Sequence, residues 1–210
     1  GQQAIVDNRS DSIAQEIVAK APPDGYTFHV TGSGFWVEPL LHKVSYDPVR
    51  DFSAITLATT SPNVLVVHPS SAAKSVRDLV ALAKSRPGVL NYGSAGTGGA
   101  AHLAGELFKT MAGVNIVHVP YKGAGAALTA LIGGEVQLMF ATAGAAEPHI
   151  RSAKLTALAV TSAQPSALVP GLPTVAASGL PGYEAASMVS VFAPAKTPAN
   201  RVGRLNREIV

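Results

Sequence analysis

Hydrophobic and polar positions follow two different periods along this chain. Short apolar runs of strand length occupy residues 4–6, 26–31, 64–67, 89–92, 116–119, 136–140 and 156–160. Between many of them, apolar residues recur three and four apart. Ser75-Val-Arg-Asp78 reads as a capping box ahead of Leu79, Val80, Leu82 and Ala83, and Arg86-Pro87-Gly88 ends that helix. Leu103, Leu107 and Met111 repeat at spacing four and stop at Gly113. Leu128, Leu131 and Ile132 mark a third helix, closed by Gly133-Gly134, and a fourth starts near Pro148, which suits a first turn. A last helix covers residues 201–210. This alternation, with near-continuous apolar strands, predicts an α/β fold whose parallel sheets are covered on both faces.

Two loops, at residues 68–73 and 192–198, have the small-residue and proline content of lobe boundaries. They predict a first lobe of residues 1–69 and 191–210 and an inserted second lobe of residues 70–190. Two such crossings make a hinge with a cleft beside it.

Composition narrows the function. With 47% hydrophobic and 14% charged residues the chain can bury a substantial core. The absence of cysteine removes disulfides, thiolate metal sites and cysteine nucleophiles. A net charge of +3 without any basic run does not suit a nucleic-acid surface. No apolar stretch reaches the roughly 18 residues of a membrane span. The histidines show no His-x-x-x-His or similar metal spacing, so neither metal nor cofactor is expected. The chain opens at Gly1 in what reads as mid-domain sequence without a signal peptide, so a processed or incomplete chain is expected.

The candidate chemistry sits in Ser94-Ala95-Gly96-Thr97-Gly98-Gly99, between a strand and the helix that carries His102. Unpaired N–H groups at such a junction attract an anion, and glycine lets the backbone come close to it. Gly96-x-Gly98-x-x-Ala101 matches a relaxed dinucleotide fingerprint. The acidic residue that would hold a ribose is missing, because nothing acidic lies between Glu106 and Glu135. A nucleophile elbow fails at Tyr92-Gly93-Ser94-Ala95-Gly96 and again around Ser33, and no P-loop occurs. A glycine turn that merely lets strand and helix pack is the competing reading of the loop alone. Similar junctions occur at Thr31-Gly32-Ser33-Gly34, at Tyr121-Lys122-Gly123 and at Thr142-Ala143-Gly144. Residues 85–146 contain only two acidic side chains, which favours a carboxylate guest.

Several stretches resemble one family. "AKAPPDGYT" (19–27), "YDPVRDF" (46–52), "NVLVVHPS" (63–70), "AKSVRDLVALAKSRPGVLNYGSAGTGG" (73–99), "AGELFKTMAGVNIVHVPYKGAGAALTALIGGEVQLMF" (104–140), "KLTALAVTS" (154–162) and "LPTVAASGLPGYEA" (172–185) are similar to Bug-type proteins. These are the extracytoplasmic substrate-binding proteins of tripartite tricarboxylate transporters. The resemblance implies a two-lobed periplasmic binding protein of the type II, Venus-flytrap kind. It implies a non-enzymatic, monomeric protein that closes on a dicarboxylate, tricarboxylate, aromatic acid or amino acid and delivers it to membrane transporter subunits. The ligand loops it implies are Thr31, Ser33, Gly34 and Phe35 in the first lobe. In the second they are Ser94, Ala95, Gly96, Thr97, Gly98, Gly99 and His102, then Tyr121, Lys122 and Gly123, then Thr142 and Ala143.

The chain departs from the family in lacking its first strand and the glycine-proline loop after it. Ser10-Asp11-Ser12-Ile13 stands in place of a longer Pro- and Gly-containing segment. Ala141 replaces a frequent Asp, which argues against an amino-acid ligand. Phe35 and Trp36 are candidates to lie near the ligand, and Lys122 to supply charge. The alternatives are a hydrolase- or transferase-like enzyme using Ser94 or Ser33, and a ligand sensor for a membrane signalling partner.

Overall fold

A computed structural model of the chain describes residues 3–9 and 12–210; Ser10 and Asp11, part of the shortened segment, lie outside the described residues. The chain divides into two compact units, residues 1–59 with 188–210 and residues 60–187. The polypeptide passes between them twice, inside one long strand and near the start of another.

In the first unit, helix α1 (Ser12–Ala19) is followed by strand β1 (His29–Thr31) and helix α2 (Gly34–Leu41). Strand β2 (Phe52–Val67) leaves this unit, and the last strand, which returns to it, lies between β1 and the start of β2. That last strand, β7 (Ala186–Pro194), runs antiparallel to β1 with His29 opposite Phe192. Phe35 sits at the centre of its core, fully buried, with Phe192 stacked at 4.6 Å and Tyr46 at 5.7 Å. Such aromatic packing contributes through buried area and ring geometry together. The C-terminal helix, Ala199–Ile209, lays Val202 and Leu205 on Ile55, Val191 and Ala193.

The second unit is built on one mixed sheet with strand order β6-β2-β5-β3-β4. Its elements are helix α3 (Val76–Ser85), β3 (Asn91–Ser94), α4 (Ala100–Ala112), β4 (Val117–Pro120), α5 (Ala124–Ile132), β5 (Leu138–Thr142), α6 (Ala143–Arg151) and β6 (Thr156–Val160). The final helix of the chain, α7, spans Ala199–Ile209 in the first unit. Strands β3, β4 and β5 are parallel, whereas β2 runs antiparallel to β5 and β6. The sheet of this unit is parallel-rich without being parallel throughout, because β2 enters in the opposite direction and lies between β6 and β5.

The coverage of both faces holds. Leu65, Val67, Leu138 and Phe140 join one core with α3 and α4, while Val64, Val66, Met139 and Ala141 join the other with α5 and α6. Alternating side chains of a strand point to opposite faces, so a run apolar throughout serves two cores.

Local departures have local causes. Residues 4–6 form no strand, and Ile5 and Val6 are exposed. The run at 26–31 yields only His29–Thr31, since Asp24 Oδ1 accepts the Tyr26 N–H and shapes a turn there. The fourth helix begins at Ala143, not near Pro148, which lies inside it.

Candidate functional site

The strands β3, β4 and β5 end at Ser94, Pro120 and Thr142, and each leads directly or through a short loop into a helix. The strands are parallel neighbours, so the N-termini of α4, α5 and α6 lie along one edge of the sheet. Open α/β sheets place ligands at such carboxyl ends.

These three helices differ from α3 in how they begin. In α3 the Ser75 side chain accepts the Asp78 N–H at 3.1 Å, as the capping box requires. Gly99, Gly123 and Thr142, the cap residues of α4, α5 and α6, supply no side-chain cap, and no acidic residue stands in any of the three first turns. Among the described residues, no protein group accepts the N–H of Thr97, Gly99, Ala100 or Ala101, of Ala124 or Gly125, or of Gly144 or Ala145. Free N–H groups and the positive ends of helix dipoles attract negative charge to such an edge.

Glycine conformations shape two of the loops. Gly98 has φ +83° and Gly123 φ +99°, both in the region that side chains with a Cβ rarely adopt. The Gly123 N–H bonds the Ala95 carbonyl at 3.3 Å, tying the first loop to the second. Lys122 and Gly123 are exposed, Tyr121 is half-buried, and Thr97 and Thr142 are open to solvent.

Some of the expected ligand residues make internal hydrogen bonds. The Ser94 side chain is fully buried; its hydroxyl donates to the Gly96 carbonyl at 2.9 Å and accepts the Gly96 N–H at 3.2 Å. His118 Nε2 lies 2.6 Å from the same oxygen. His102 Nδ1 accepts the Gly98 N–H at 3.0 Å, so that amide is already paired. Ala143 is buried in the core beside Ala146, and Ala141 lies there too, so position 141 faces the packing rather than the sheet edge. Gly96 and Gly99 are partly exposed and Ala95 is exposed.

In the first unit, Thr31 ends β1 and Ser33 and Gly34 start α2. The N–H groups of Phe35 and Trp36 bond the carbonyls of Gly32 and Ser33, so the start of this helix is largely paired internally. Phe35 is a core residue, and no ligand can stack on its ring. Trp36 is 42% exposed and packs edge-on against Phe35.

The two serines of the enzymatic alternative are both enclosed. A base does lie within reach of Ser94, namely His118, but the serine hydroxyl is sealed from solvent and committed to Gly96. The Ser33 hydroxyl is buried with no partner among the described residues.

Sequence reasoning missed the buried polar cluster where β2 enters the unit. Asn63, 1% exposed and opposite Thr142 in the β2–β5 register, accepts from Ser187 at its Oδ1, while its Nδ2 has no partner among the described residues. Thr161 bonds the backbone of both Asn63 and Ala185. Only the pairing of distant strands unites these residues; the one linear signal was a lone Asn ahead of an apolar run.

Two units joined by two chain crossings, with uncapped helix starts along a sheet edge, have the architecture of the periplasmic binding-protein type II fold. Comparisons agree. The chain belongs to the tripartite tricarboxylate transporter family receptors, whose pattern matches residues 1–209. A Rhodopseudomonas palustris protein solved with adipate is 40% identical, with a TM-score of 0.92 over 98% of this chain and 70% of its own. MatC from Rhodopseudomonas palustris, with bound malate, is 30% identical, with a TM-score of 0.86 over 94% of this chain and 68% of its own. A UPF0065 protein from the tcbD-tcbE intergenic region of a Pseudomonas species is 40% identical over 100% of this chain and 64% of its own length. This chain thus spans about two thirds of the length of such relatives. The family and its solved neighbours are substrate-binding proteins. Among the described residues, no helix is long and apolar enough to cross a membrane.

Proposed function

We propose that this protein captures a small organic acid in the periplasm, without transforming it, for delivery to the membrane subunits of a tripartite tricarboxylate-type transporter. The observation that carries the reading is the set of three uncapped, acid-free helix N-termini along one sheet edge. A carboxylate there accepts hydrogen bonds that the protein itself leaves unmade, and bonds to an ionised acceptor are stronger than neutral ones. The relatives solved with adipate and malate support a dicarboxylate.

The contacts assigned to the ligand are the N–H groups of Thr97, Gly99 and Ala100, those of Ala124 and Gly125, and the Thr142 hydroxyl. Lys122 supplies a mobile positive charge. Ser94, His102 and Ala143 act beneath the surface, and Tyr121 borders the site. An amino acid is disfavoured, because the nearby carboxylates are engaged: Glu106 with Lys109 and Tyr92, Glu147 with Arg151.

Thermal denaturation with and without ligand tests the reading. A ligand that binds only the folded state raises the melting temperature in proportion to the logarithm of its concentration above Kd. Adipate or malate should raise it, whereas 1,6-hexanediol and glycine should leave it unchanged. A melting temperature indifferent to every di- and tricarboxylate would refute the assignment.

A further inference from the structure

Beneath the glycine loop two imidazoles lie against each other, with ring centroids 4.1 Å apart. His102 comes from the first turn of α4 and His118 from β4, and folding alone unites them. His102 Nδ1 accepts the Gly98 N–H, so in the neutral ring the proton resides on Nε2, facing Glu106 Oε1 at 4.0 Å. With the Ser94 hydroxyl proton directed to the Gly96 carbonyl, His118 donates from Nε2 to the serine oxygen. Each ring therefore has one tautomer, and each fixes one end of the 94–98 loop.

We propose that His102, supported by His118, is a positioning residue for ligand capture. Its unprotonated Nδ1 takes up the Gly98 N–H and fixes the loop in the conformation that leaves the Thr97 and Gly99 N–H groups available. The inference rests on the carboxylate reading above. A proton on His102 converts the acceptor into a donor facing another donor, and a second positive ring 4.1 Å away adds repulsion. The loop must then rearrange, and affinity falls with acid.

The surroundings favour the neutral pair. Burial lowers the affinity of His102 for a proton, Glu106 opposes that and Lys109 reinforces it. Burial, then the neighbouring His102, brings His118 down to about 4. The other groups facing the pair are Tyr92 from β3, stacked on His118 at 4.9 Å, and Ser94. Binding should therefore persist through neutral pH and weaken only below the ordinary imidazole range.

Two variants separate positioning from bulk structure. His102→Asn keeps an acceptor close to the place of Nδ1 but does not titrate; His102→Ala removes it. The first readout needs no ligand: the Gly98 amide resonance of the free protein, followed from pH 8 to pH 4. It should titrate with the His102 ring in the parent, lie elsewhere already at pH 8 in the alanine variant, and stay flat in the asparagine variant. The second is the affinity for adipate and malate. The alanine variant should bind at least tenfold more weakly at pH 7.5. The asparagine variant should bind within threefold of the parent and lose the acid-side fall. A Gly98 amide indifferent to His102, or an alanine variant with parental affinity, overturns the proposal. Should the alanine variant not fold, an asparagine variant whose affinity falls with acid as the parent's does would overturn it equally. If the Gly98 amide responds as expected but neither acid binds, the positioning of the loop stands and the carboxylate reading falls.

Discussion

The ring of Tyr92 lies across Gly105 so closely that a Cβ at position 105 would sit 2.4 Å from its Cε2 atom. The tyrosine cannot slide away, because it is fully buried and its hydroxyl donates to Glu106 Oε1 at 2.6 Å. Strand β3 and helix α4 thus approach at a distance only glycine permits, and this approach sets where the glycine loop begins. Gly105→Ala should cost about 3 kcal/mol of stability, the upper part of the range for overpacking a rigid core. Urea denaturation measures it, and a loss below about 1 kcal/mol would show that the ring has room to yield.

Thr161 holds the end of β6 to the start of β2 in the second unit. Its Oγ1 accepts the Asn63 N–H at 2.9 Å, and its hydroxyl proton goes to the Ala185 carbonyl. Thr161→Val preserves the shape but leaves the buried Asn63 N–H and the part-buried Ala185 carbonyl without this partner. The expected loss is about 2 kcal/mol. Thr161→Ser, which retains the hydroxyl, should lose much less, and equal losses for both variants would contradict the hydrogen-bond account.

Gly123 offers a test of conformation without crowding. No atom lies within 4 Å of a Cβ built there, yet its φ of +99° is one that other residues adopt at a cost. Gly123→Ala should lower stability by only about 1–2 kcal/mol. It should also weaken adipate or malate binding, since the start of α5 must shift to relieve the strain. Unchanged affinity, measured calorimetrically, would remove this turn from the ligand site.

Acid should destabilise the protein in a defined window. His29, His102 and His118 are all held below the ordinary imidazole value, first of all by burial. The unfolded chain, with imidazoles near pKa 6.5, then binds more protons than the folded one as the pH falls. Their contribution is complete above about pH 6.5 and is lost progressively down to about pH 4, where His118 itself protonates. The melting temperature should decline across that interval, and less steeply in a His118→Gln variant. A flat profile between pH 6.5 and pH 4 would contradict the assignment.

What the sequence determined by itself was local and periodic. The capping box at Ser75, the helix stop at Gly113 and the apolar run at 64–67 each follow from interactions within a few residues, and each formed as read. Strand–helix alternation fixed the α/β class, and the glycine-hydroxyl junctions at 94–99 and 121–123 marked the sheet edge where helices begin without caps. Tertiary structure decided direction and burial. The antiparallel course of β2 depends on which strands pair across long separations, and periodicity is blind to that. Phe35 became the centre of a core, and Ser94 and His102 became supports of the glycine loop. A residue's side chain is assigned to packing or to solvent by what other elements bring against it: Phe192 against Phe35, His118 against Ser94, the Gly98 N–H against His102.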